Sequence, residues 1–148
     1  MPVRFDFRLW PLLDHRKRVE EEKQRAFAAC RRAVDECRRE IERLGGQRRS
    51  AMEQLAHSAR AQSAAELRLR DAHLRRVELA INDERLRRSE LKVAYERARD
   101  ELIAAGRERR VVEKLKERRL RAFEAEATRY EERELDEANA RRREKCRV

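Results

Sequence analysis

Apolar residues in this chain recur at alternating steps of three and four over two long segments, and that period leaves few folds open. In the first segment Phe27, Cys30, Val34, Cys37, Ile41, Leu44, Ala51 and Leu55 keep the spacing, with Arg48 as the one polar interruption. In the second the series is Leu67, Leu74, Val77, Ile81, Leu91, Tyr95, Ala98, Leu102, Ala105 and Val112, interrupted by Glu84, Arg88 and Arg109. A mean step of 3.5 residues puts each series on one stripe of a helix, so these side chains are expected to form a coiled-coil core.

Composition narrows the class further. Charged residues make up 47% of the chain and aromatics 5%, with three Gly and two Pro in 148 residues, which excludes an ordinary globular core joined by loops. Disorder is the competing class for so polar a chain, but a disordered segment lacks a periodic apolar stripe. Lys, Arg, Glu, Ala and Leu dominate, and these residues lose little side-chain freedom in a helix.

Two signals locate the elements. Ser63-Ala64-Ala65-Glu66 is a capping box, in which the serine hydroxyl and the glutamate carboxylate satisfy unpaired amides of the first turn. Gly45-Gly46 interrupts the first seam and invites a turn, yet Leu44, Ala51 and Leu55 keep register across it, so a continuous or slightly kinked helix is expected. The reading is all-α: one coiled-coil hairpin over 1–148, with a helix over about 9–56, a turn at about 57–62 and a second helix over about 63–145. The helices bury their seams against each other in antiparallel fashion. A bend near 61 sets Phe5 opposite a residue near 117, and the last 30 or so residues then project without an intramolecular partner, over roughly 45 Å. After Val112 the spacing slips to Leu120, Phe123, Ala127 and Tyr130, a four-residue stutter.

The projecting stretch is patterned in charge. Arg107 to Phe123 is strongly basic, Glu124 to Glu137 is net acidic, and Arg141-Arg142-Arg143 with Lys145 and Arg147 is basic again. Its plain reading is a solvated helix held by i,i+4 pairs, but Phe123, Tyr130 and Leu135 have nothing of their own chain to bury against and point to a partner surface. Arg118, Arg119 and Arg121 would hold such a partner by charge while leaving many orientations similar in energy. Pro11 suits the first turn of a helix, so Trp10 lies at its start, where it either caps the seam or contacts another protein.

The amino-terminal Phe5-Asp6-Phe7-Arg8-Leu9 with Leu12-Leu13, the charge-dense Glu113-Lys114-Leu115-Lys116-Glu117-Arg118-Arg119, and Glu134-Leu135-Asp136-Glu137-Ala138 together resemble the bacterial flagellar export protein FliJ family and its counterparts in non-flagellar type III secretion. The resemblance implies an antiparallel coiled coil similar to part of the gamma subunit of rotary ATPases. It also implies a role in flagellum biogenesis and motility: the terminal end of the hairpin enters the hexameric export ATPase, promotes its assembly and hydrolysis, links it to the membrane export gate, and escorts substrate chaperones. Phe5, Phe7, Leu9, Leu12, Leu13 and Leu135 would then contact partners, at the cytoplasmic face of the inner-membrane export apparatus.

Enzymatic chemistry has little footing. His15, His57 and His73 are isolated on charged faces, there is no Gly-rich phosphate loop and no G-x-S-x-G, and Cys30, Cys37 and Cys146 form no metal-spaced pair. No catalytic activity, cofactor or metal is expected. No apolar run spans a bilayer and no secretory h-region opens the chain, so a cytosolic protein is expected, and the resemblance implies its peripheral association with the membrane complex. Two other classes stay open. A net charge of +10 attracts polyanions, although interleaved acidic residues and the lack of stacking aromatics argue against a specific nucleic-acid partner. A plain homodimeric coiled coil would have to stack Arg48, Glu84, Arg88 and Arg109 against their like unless its pairing is antiparallel.

Overall fold

The computed structural model describes residues 4–58 and 63–146. They contain two helices, α1 (Trp10–Ser58) and α2 (Ala64–Lys145), and no strand among the described residues. The expected turn at 57–62 lies, from 59 on, outside the described residues, and α1 stays helical through His57 and Ser58. Ser63 caps α2: its Oγ accepts from the Glu66 amide at 3.4 Å and its carbonyl accepts from the Leu67 amide at 3.2 Å. Gly45 and Gly46 are helical, without positive φ, so the heptad phase outweighs the glycine preference for a turn.

Packing divides the chain into two compact units, one comprising Glu21–Ile103 and the other the residues up to Glu20 together with those from Ala104 on. In the Glu21–Ile103 unit, Cys37, Leu44, Ala51, Val77, Ile81 and Ala98 are buried, and Leu44, Val77 and Ile81 form one cluster with Ala80 against it. Leu44, Val77 and Ile81 each contribute about 1.5–3 kcal/mol when fully removed from water. Phe27, Cys30, Val34, Ile41, Leu55, Leu67, Leu74, Leu91 and Tyr95 are half-buried beside them. The Phe27 and Tyr95 rings meet at 5.0 Å between centroids. The pairing has an order: as the α1 residue rises in number the α2 residue falls, from Lys23 with Glu101 at 2.7 Å, through Arg48 with Glu78 at 3.8 Å, to the Gln54 carbonyl accepting from Arg70 at 3.5 Å.

Polar groups also meet between α1 and α2 in this unit. The Cys37 thiol donates toward the Glu84 carbonyl and carboxylate, each at 3.3 Å; burial, reinforced by that carboxylate, pushes the thiol above its ordinary pKa and keeps it neutral. The hydrogen bond between Lys23 and Glu101 raises the lysine and lowers the glutamate, so both stay ionised across the neutral range. Arg48, at a seam position by spacing, is exposed.

In the other unit the core is Phe7, Leu13 and Val112, with Phe5 and Leu9 packed against it, and Ala105 is buried as well; Leu102, a residue of the Glu21–Ile103 unit, is half-buried. Residues 4–9 are not helical, and they run on along α2 so that Phe5 meets Phe123 with centroids 5.6 Å apart. Phe5 thus reaches past the expected position near 117, because an extended residue covers about 3.3 Å where a helical one covers about 1.5 Å.

Candidate functional site

The partner-binding candidates all belong to the unit built from the two ends of the chain, and the structure separates them into three groups. Phe7 and Leu13 are 1% and 0% exposed and pack on Val112. These two are core of this unit, and a turn ends the non-helical segment before α1. Its turn is closed by the Trp10 amide donating to the Phe7 carbonyl at 3.0 Å, with the Leu13 amide donating to Leu9 at 3.0 Å. Phe5 and Leu9 are half-buried around the same core.

The second group is at the surface beside that core. Trp10 is 39% exposed and Leu12 37%. The Trp10 and Phe7 rings meet nearly perpendicular, at 82° with centroids 6.0 Å apart, and the Lys116 ammonium sits over the indole, 4.2 Å from its centroid. Arg119 lies over the Phe7 ring at 5.8 Å. These are cation–π contacts, and they fix Trp10 as a cap on the core that still shows one face to solvent. Both alternatives for Trp10 thus have a physical basis in one residue. Around it, Arg107 to Phe123 holds eight basic and three acidic residues, which gives this stretch of α2 a positive surface. Arg118, Arg119 and Arg121 are exposed on it.

The stutter lies in the same stretch. Ala105 and Val112 are buried, Arg109, Lys116, Leu120 and Phe123 are half-buried, and Arg119 is out; two steps of four in succession, 112 to 116 to 120, shift the stripe. Sequence spacing missed the ion network next to it. Arg109 bonds both Glu20 and Glu113, and Arg16 bonds Glu108. The hydrogen bond to Glu20 raises the Arg109 pKa, so the half-buried guanidinium remains charged. Glu113, four residues on, is the one local signal of the network; Glu20 lies 89 positions away along the chain.

The third group is α2 beyond Phe123. Every described residue from Glu124 to Cys146 is exposed, including Tyr130 at 63% and Leu135 at 64%. The helix persists there on local bonds: the Thr128 hydroxyl donates to the Glu124 carbonyl at 2.9 Å and Arg141 pairs with Glu137 at 3.5 Å. The Tyr130 hydroxyl bonds Glu134, and this bond, with the charge behind it, raises the phenol pKa. Glu124 to Glu137 carries seven acidic and two basic residues, so a negative band follows directly on the positive one.

Among the described residues no group of His, Cys, Asp and Glu could hold a metal ion, and no helix is long and apolar enough to cross a membrane. A family model described as the flagellar FliJ protein matches residues 5–145, nearly the whole chain and all three groups. No curated protein and no solved structure matches it.

Proposed function

The chain belongs to the flagellar FliJ protein family, and from that premise, which makes it a flagellar export protein, we propose that it is the non-enzymatic central stalk of the export apparatus. In this reading α1 and α2 form an antiparallel coiled-coil hairpin, in keeping with the opposed contact order inside the Glu21–Ile103 unit. The end of α2 beyond Phe123 is its working part: it enters the hexameric export ATPase, promotes assembly and hydrolysis, and connects the ring to the export gate and to substrate chaperones at the cytoplasmic face of the inner membrane.

The observation that carries this reading is a helix of more than twenty residues, all exposed, that nonetheless carries Tyr130 and Leu135. Large apolar groups on a helix with nothing of its own unit packed against them point to the surface of another protein. Adjacent positive and negative bands suit a rod in a charged channel, where long-range attraction holds it without deep interdigitation.

The test is the hydrolysis rate of the cognate export ATPase, titrated with the full chain and with a version ending at Glu124. That end point keeps the Phe5–Phe123 contact and the core under it, so both chains should have the same melting behaviour. Stimulation by the full chain and its loss on truncation is the expected result. Equal stimulation by both would move the contact away from the exposed helix, and no stimulation by either would end the stalk reading.

A further inference from the structure

A second period of seven runs along α2 within the Glu21–Ile103 unit. Ala65, Ala72, Leu79, Leu86 and Val93 each stand two residues before a seam position, namely Leu67, Leu74, Ile81, Arg88 and Tyr95. Two residues turn a helix by about 200°, so this row lies on the side of α2 facing away from the seam. All five are exposed, with Leu79 at 63%, Leu86 at 67% and Val93 at 59%. Leu69, at 70%, flanks the row. One exposed leucine is ordinary; a heptad row of them, on a chain of mean hydropathy −1.08, is an unpartnered helix face.

The charges along the row say what fits it. Arg68, Arg75 and Arg76 flank its first half, Asp83 and Glu90 its second, and all five are exposed. Consider the same face of a second copy laid against this one in the opposite direction, centred on Leu79. Facing residue numbers then sum to 158, twice 79. Arg68 meets Glu90, Arg75 meets Asp83, Arg76 meets Asn82, Ala72 meets Leu86, Ala65 meets Val93, and Leu79 meets its own mate. Every acidic residue finds a basic one and every large apolar residue on the flanks finds a small one. Parallel pairing would instead put arginine on arginine and glutamate on glutamate.

We propose that this face of α2, residues 65–93, is a self-complementary surface through which two copies of the chain associate antiparallel about a twofold axis at Leu79. The arrangement is isologous, so each favourable pair occurs twice. With only a few large apolar side chains per copy the association is reversible and dependent on concentration. It uses none of the residues from Glu124 on.

The experiment is sedimentation of the full chain at low salt over roughly a hundredfold range of protein concentration. The chain should pass from monomer to dimer. The paired variant Arg68→Glu with Arg75→Glu should stay monomeric, and so should Asp83→Arg with Glu90→Arg, because each sets like charges opposite each other. An equimolar mixture of the two should recover the dimer, since every reversed charge then faces its opposite. Leu79→Glu should abolish association with helicity unchanged. A wild-type chain that is monomeric throughout, variants that self-associate like the wild type, or a mixture that fails to pair would each overturn the proposal.

Discussion

Arg109 stands on the seam of α2 and still carries its charge, because Glu20 and Glu113 both reach it. Gly106 makes room for this: a Cβ there would lie 3.2 Å from the Glu20 Oε1. Arg109 and Glu20 are each 24% exposed, so the pair is neither fully screened nor fully desolvated. Arg109→Ala should destabilise the chain by about 1–2 kcal/mol, since it leaves two half-buried carboxylates side by side. Glu20→Gln should cost less, and a double-mutant cycle in urea should give a clear coupling between them. Zero coupling would reduce the pair to surface decoration. The sequence marks Arg109 only as a break in the apolar period; its partner is unreadable there, because spacing along one helix says nothing of what the other brings alongside. The same holds for Lys116 over Trp10 and for the Glu84 groups that hold the Cys37 thiol neutral.

At the scale of the elements, both helices were legible from periodicity and from the Ser63 cap, since these are local signals with a fixed helical period. The segment before α1 was not. Phe5, Phe7 and Leu9 alternate as a strand does, and neither pattern nor propensity tells whether such residues seek another protein or their own core. Gly45 and Gly46 give the sharpest prediction for α1. Both are helical, and a Cβ added at either would meet nothing within 4 Å. Gly45→Ala and Gly46→Ala should each stabilise the chain by about 0.5–1 kcal/mol and raise Tm, by limiting the unfolded chain and improving helix propensity. If the more stable double variant stimulates the export ATPase less, this stretch of α1 accepts a close partner as well; unchanged stability would contradict the open space around both glycines.

For the whole molecule, the net charge of +10 is the quantity that composition already gave, and the FliJ resemblance read from its two ends agrees with the family that covers residues 5–145. Charge cannot by itself distinguish a ring from a nucleic acid, which is why the stalk reading depends on the exposed end of α2. Replacement of Arg118, Arg119 and Arg121 by Gln should lower ATPase stimulation at low salt, and stimulation by the wild-type chain should itself weaken as salt rises. Stimulation unaffected by either change would dismiss the electrostatic account. The packing of residues 5–9 on α2 also bears on how the molecule is made. Phe5 and Phe7 pack on Val112 and Phe123, so they must wait until synthesis has passed position 123. At roughly 5–20 residues per second Phe5 waits about 6–24 s for Phe123. During that interval Phe5, Phe7, Trp10, Leu12 and Leu13 are a bare apolar leader on a growing chain, open to capture by a holdase before the protein can shelter them itself.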